Sequence, residues 1–244
     1  MSGSRSRFRL CAFIAAAALS SAQVAQAQID PDNPTCPENP NWSNYPEMRF
    51  TVEEINGERI LLAEGRIDDN LIPRLRTALQ EHDPAEIWLR SPGGNARVGN
   101  EAGQIIRASN IPTRIPAGWA CFSACNFLFM GGWARFVDEG GLFIVHMFTH
   151  TADRDSIRSE VSRGVDSTIG LIGDIEQQSA ILASEDHAFL IRMGISHHLL
   201  SEVMYRQRAV AGRGGDRSTR RCLTQAEVRR YHVVSDLMSA PARP

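Results

Sequence analysis

Three stretches of this 244-residue chain carry side chains able to do chemistry together: Ser91-Pro92-Gly93-Gly94, Cys121-Phe122-Ser123-Ala124-Cys125, and His146 at the end of the apolar run Leu142 to Val145. A serine hydroxyl becomes a useful nucleophile when a neutral imidazole takes its proton and later returns it to the leaving amine. Ser123 follows a turn region holding Pro116 and Gly118. It opens the apolar run Phe127-Leu128-Phe129-Met130, closed by Gly131-Gly132. That pattern reads as a serine at the first turn of a buried helix, where free backbone N–H groups and the helix dipole favour negative charge. The Ala124 N–H would then serve an oxyanion. Taken singly, Ser123 reads more readily as a plain N-cap, and a lone histidine ending a strand as a structural one. His150, His197 and His198 are weaker choices of base.

Four cysteines lie beyond the N-terminal segment: Cys36, Cys121, Cys125 and Cys222. That segment reads as a secretory signal. Arg5, Arg7 and Arg9 form a basic start, Leu10 to Leu19 a short apolar core, and Ala25-Gln26-Ala27 a cleavage site that predicts a mature start at Gln28. The core is too short to span a bilayer, and no later run is long and apolar enough. The expectation is an exported, periplasmic or secreted protein. In an oxidising compartment four cysteines suggest two disulfides, with three pairings open. Cys121–Cys125 with Cys36–Cys222 is favoured. The first would brace Ser123 locally and the second would tie the chain's ends. No paired C-x-x-C spacing supports zinc, and no metal is expected.

These residues need a scaffold, and the rest of the chain supplies one. Residues 28–48, with Pro31, Pro34, Pro37, Pro40 and Pro46, form an extended arm. Met48–Val52 and Arg59–Glu64 read as strands around an Asn56-Gly57 hairpin turn. Asp68 or Asp69 would cap a helix through Leu71, Leu75 and Leu79, ended by Asp83-Pro84. Glu86–Leu89 is a buried strand running into the Ser-Pro-Gly-Gly turn. Ala96–Ser109 is a helix, Ile111–Ile115 a strand, and Arg135–Val137 and Leu142–Val145 two more. From Asp155 to Met193 apolar residues fall three or four apart (Ile157, Val161, Val165, Ile169, Ile172), the spacing of an amphipathic helix. Ser196–Tyr205 is a shorter helix. Arg206–Arg221, with six arginines, is a basic loop, and Leu223–Val233 is a closing helix with a Thr224/Glu227 capping box. Alternating strands and helices predict an α/β layered domain over 49–238 and a tail over 239–244.

This order resembles the Clp-protease/crotonase superfamily: strand, Ser-Pro-Gly-Gly, helix, strand, a serine about thirty residues on, and a strand ending in histidine about twenty-three further. It is most similar to the proteolytic subunit of the Clp protease and its secreted relatives. The match covers roughly 58–147 and returns weakly at Leu223 to Glu227. The resemblance implies a layered fold of repeated ββα units. It implies a serine peptidase in which Ser123 attacks, His146 is the base, and Gly93 or Gly94 joins Ala124 in an oxyanion hole. The family's third member, an acid, falls near Glu202 and Val203, so Glu202 is the expected acid and Asp216 the other choice. A peptide or protein substrate follows, and homo-oligomerisation is open.

Composition narrows the remaining classes. Net charge is −2, which does not suggest a nucleic-acid binder. No lysine occurs, so the serine–lysine variant of signal peptide peptidase A is excluded. The crotonase branch needs coenzyme A, a cytosolic cofactor, and no cofactor is expected here. No P-loop is present, so no ATP-dependent partner is inferred. The rival reading is an inactive Clp-like binding or scaffold protein of the cell envelope. The basic loop could also meet an anionic partner.

Overall fold

The computed structural model describes residues 29–30, 33–147, 153–208 and 219–235. The signal segment, Asp216 and His150 lie outside them. The described chain is a mixed α/β fold built on two main sheets.

The larger sheet has the order β3-β4-β5-β6-β8. β3 (Arg49–Ile55) and β4 (Glu58–Glu64) form a hairpin. Its turn residues Asn56 and Gly57 have φ of 54° and 81°, the pair of positive values that a two-residue type I′ turn requires. β5 (Glu86–Arg90), β6 (Thr113–Ile115) and β8 (Arg135–Val137) then add in parallel. Parallel neighbours need crossovers, and three helices supply them: α1 (Leu71–His82), α2 (Ala96–Ser109) and α3 (Cys125–Gly131).

α1 buries Leu71, Leu75, Ala78 and Leu79, one helical face. It stops at Asp83, which is left-handed and precedes a proline that disfavours continuation. No side chain caps its start. Neither expected cap does so: Asp69 accepts from Asn95 Nδ2 at 2.7 Å, and Asp68 accepts the N–H groups of Met48 and Asn70 and pairs with Arg74, tying the strand entry to the helix. Asn95 does cap α2, its Oδ1 accepting the Val98 N–H at 3.1 Å. α3 is buried along its whole length. It lies so close to α2 that a Cβ on Gly103 would strike the Phe127 carbonyl.

The smaller sheet has the order β10-β9-β7. β7 (Ala120–Phe122) runs parallel to β9 (Leu142–His146), and β10 (Arg220–Cys222) pairs antiparallel with β9. Part of the expected basic loop is therefore a strand, because Arg220 and Arg221 alternate across β10 and Cys222 continues it into a buried face. The arm carries the two short paired strands β1 (Ile29–Asp30) and β2 (Asn33–Pro37). It buries Cys36 within β2 and, farther on, Ser43 and Met48.

α4 (Arg154–Arg163) and α5 (Val165–Arg192) are separated by Gly164 at φ 114°. Their amphipathic stripe is exposed at Val161, Val165, Ile169 and Ile172. Only Phe189 and Leu190, near the end of α5, are buried. Among the described residues, none forms a layer against most of the long helix's apolar face. The expected helix over 196–205 is a π-turn (Leu199–Val203) followed by a 3-10 turn (Met204–Arg206). α6 (Gln225–Arg230) closes the chain, with Thr224 and Glu227 forming a complete capping box.

Candidate active site

The two sheets meet at Ser91, one residue past β5. Its N–H donates to the Ala120 carbonyl and its carbonyl accepts the Phe122 N–H, both at 3.0 Å. This bridge lays the Ser-Pro-Gly-Gly turn against the segment carrying Ser123. Ser91 itself is fully buried.

Ser123 lies in the tight turn between β7 and α3, with φ at 56°. It is not an N-cap. Left-handed backbone is costly for a non-glycine residue without a short side chain that bonds back to the main chain, and a strand-to-helix turn of this kind lifts a hydroxyl clear of the main chain. Three features hold the turn. Cys121 and Cys125 are disulfide-bonded, two residues to either side, with Cα atoms 5.4 Å apart. The Ser123 carbonyl accepts the Asn126 N–H at 2.9 Å. The Ile144 carbonyl accepts both the Ser123 N–H at 3.3 Å and the Asn126 Nδ2 at 2.7 Å.

His146 ends β9, two residues after Ile144. Its Nε2 lies 2.7 Å from the Ser123 Oγ. Both residues are half-buried, open enough for a substrate yet partly shielded from water. The Phe122 ring packs against the imidazole, centroids 4.8 Å apart.

The two glycines have different duties. The Gly93 N–H is occupied, donating to the Ser91 Oγ at 3.0 Å. Gly93 has φ at 84°, and a Cβ there would fall 2.6 Å from the Phe122 carbonyl and 2.8 Å from the Ser123 Cβ. It is the residue that lets the turn press against the serine. Gly94 is bridged in parallel to Ile67. The bonds run through its neighbours: the Gly93 carbonyl accepts the Ile67 N–H and the Asn95 N–H donates to the Ile67 carbonyl, both at 2.9 Å. In a parallel bridge the central residue's own N–H points the other way. Among the described residues the Gly94 and Ala124 N–H groups have no backbone acceptor. Of the three N–H groups expected to face an oxyanion, the Gly93 one is already engaged by the Ser91 hydroxyl.

Glu202 is not brought to the serine–histidine pair. Its Oε2 accepts from Arg230 and from the Tyr231 hydroxyl, each at 3.0 Å, and its Oε1 lies 3.5 Å from the His198 Nδ1. That carboxylate ties the π-turn to the closing helix. His197 and His198 are exposed, and His197 stacks on His187 with centroids 4.9 Å apart. Cys36 and Cys222 are joined, with Cα atoms 5.1 Å apart. Among the described residues no cluster of three or more His, Cys, Asp or Glu side chains could hold a metal ion, and no helix is long and apolar enough to cross a membrane.

No family model and no curated protein matches the chain. Among solved structures it is similar to a mutant of ClpP1 from Listeria monocytogenes. That alignment covers 72% of this chain and 88% of the other at 15% identity, with a TM-score of 0.45. It is also similar to a mutant of the 1510-N membrane-bound stomatin-specific protease, over 72% of this chain and 75% of the other at 13% identity, with a TM-score of 0.43.

Proposed function

We propose that the chain is an exported serine hydrolase acting on peptides or proteins. The observation that carries this reading is the 2.7 Å contact between the Ser123 Oγ and the His146 Nε2, made by a serine held in left-handed backbone. Attack on a carbonyl carbon passes the Ser123 proton to His146 Nε2. The carbonyl oxygen, now negative, is received by the Gly94 and Ala124 N–H groups; one such donor is worth roughly 3 kcal/mol in the transition state. His146 then gives the proton to the departing amine. Water enters, loses a proton to the same nitrogen as it attacks the acyl carbon, and His146 returns that proton to the Ser123 Oγ as the acid leaves. Export is supported by the Arg-rich, apolar, Ala-x-Ala start and by two disulfides, which persist in oxidising compartments. The exposed aliphatic stripe on α4 and α5 supports self-association. A fluorophosphonate probe tests the reaction: it should label the wild type and leave Ser123→Ala unmarked. A wild type that never reacts would return the fold to the scaffold reading.

A further inference from the structure

The arm reaches the site. β7 is buried on both faces. Cys121 points into the main core, while Ala120 and Phe122 face the other way with Ile144, Cys222 and Cys36, and Trp42 and Leu142 edge this second small core. Two of its members, Cys36 and Trp42, come from the arm. Without Trp42, Phe122 would lose its stacked partner. The arm is fixed along its length. Cys36 is bonded to Cys222, Thr35 Oγ1 accepts the Cys222 N–H at 3.2 Å, and the Asn41 carbonyl accepts the Ala120 N–H at 3.0 Å. Asn41 Nδ2 donates to the Gly118 carbonyl at 2.8 Å.

Between these ties Trp42 lies flat on Phe122, centroids 5.5 Å apart and planes at 20°. The other ring in contact with Phe122 is the His146 imidazole, centroids 4.8 Å apart and planes at 50°. The Arg220 guanidinium, on the residue paired with His146 across β10 and β9, sits 5.8 Å from the indole. The χ2 torsion of histidine is intrinsically broad, so the surfaces that touch an imidazole help to set its plane.

We propose that Trp42 is a positioning residue for the Ser123–His146 pair. The arm, drawn in by Cys36–Cys222, holds Phe122 against the imidazole and so forms one wall of the site. This rests on reading Ser123 and His146 as nucleophile and base. Small displacements of reacting groups matter: about 1 Å costs around a hundredfold in rate.

The test uses the oxidised chain from Gln28 onward, with histidine rings labelled for NMR. In the wild type, nuclear Overhauser contacts should run from the Phe122 ring to both Trp42 and His146. Trp42→Ala should shift or broaden the His146 ring signals and slow fluorophosphonate labelling of Ser123 about tenfold or more. Trp42→Phe should restore both. Missing Overhauser contacts in the wild type would overturn the proposal. So would His146 signals in Trp42→Ala that coincide with the wild type, even if its melting temperature falls, and so would failure of Trp42→Phe to restore them. A wild type inert to the probe would remove the hydrolase reading alone, since the His146 signals still decide whether Trp42 sets the ring.

Discussion

Ser123 and His146 are held in register by the strand that carries the histidine: the Ile144 carbonyl takes the Ser123 N–H at 3.3 Å, and two residues later His146 Nε2 meets the Ser123 Oγ at 2.7 Å. One strand thus holds the serine through its backbone N–H and, with its last side chain, faces the serine hydroxyl.

Removing either member should leave the fold intact and the chemistry gone. Ser123→Ala and His146→Ala are each expected to lower the turnover of a reactive peptide ester by roughly 10⁴-fold or more, with circular dichroism unchanged. Activity equal to the wild type in either variant would end the assignment.

The left-handed backbone at Ser123 makes a separate prediction about stability. Left-handed geometry costs an L-residue roughly 1–2 kcal/mol, and glycine escapes that cost. Ser123→Gly should therefore melt higher than Ser123→Ala. A lower melting point for the glycine variant would show that the turn is not strained.

Gly93 offers a steric test. Its φ of 84° and the 2.6 Å approach a Cβ would make to the Phe122 carbonyl leave no room for alanine. Gly93→Ala should be destabilised by about 2 kcal/mol or more and should lose probe labelling. The exposed Gly57, whose Cβ would meet nothing within 4 Å, is the control for a positive-φ glycine without the clash.

The two disulfides should divide their duties. Cys36–Cys222 spans 186 residues and Cys121–Cys125 spans four. Loop-closure entropy assigns about 5 kcal/mol to the first and about 2 kcal/mol to the second. Replacing Cys36 and Cys222 by serine should lower the denaturant midpoint more than replacing Cys121 and Cys125. The short bridge should instead show itself in the labelling rate of Ser123. Equal midpoints for the two double variants would contradict this division.

Asp186 predicts a pH dependence. It lines a cleft between α2 and α5 with Glu101, Glu185, Arg97 and Arg192. Burial, and then the Glu185 charge, push its pKa up to about 7 from an ordinary 3.8. Between those values the unfolded chain has released a proton that the native chain keeps. This group's contribution to stability is therefore full below the lower value and lost as pH rises through the upper one. Asp186→Asn cannot ionise. Its melting temperature should match the wild type near pH 4 and exceed it by roughly 3 °C or more at pH 8. A gain equal at both pH values would place the cause outside ionisation.

Much of the scaffold was legible because its signals are local. Asn56-Gly57 marks its hairpin, Leu71, Leu75 and Leu79 mark one helical face, and Thr224 with Glu227 marks its cap. The serine and histidine were legible through their spacing. What escaped depends on contacts distant in the chain. β7 is three residues long and covered on both sides, so it shows no alternation, and Ser123 after it read as a helix start. β10 was hidden by its arginines, whose partners lie on β9. The fate of Glu202 is set by Arg230 and Tyr231, which chain order cannot place beside it. Trp42 sits in a proline-rich stretch with no period at all, and it is the disulfide together with the Asn41 bonds to Ala120 and Gly118 that brings it to Phe122.

One buried side chain gathers several ends of the fold. Arg135 donates to the carbonyls of Gly132, Met193, His232 and Val233, and burial first, then the Arg107 charge, lower its pKa to about 10. Gly132 is the C-terminal cap of α3, the helix that follows the nucleophile. The closing residues of the chain are therefore wired to the far end of that helix. A carboxy-terminal truncation that stops short of His232 would strip two acceptors from a buried cation, so any purification tag has to leave His232 and Val233 in place.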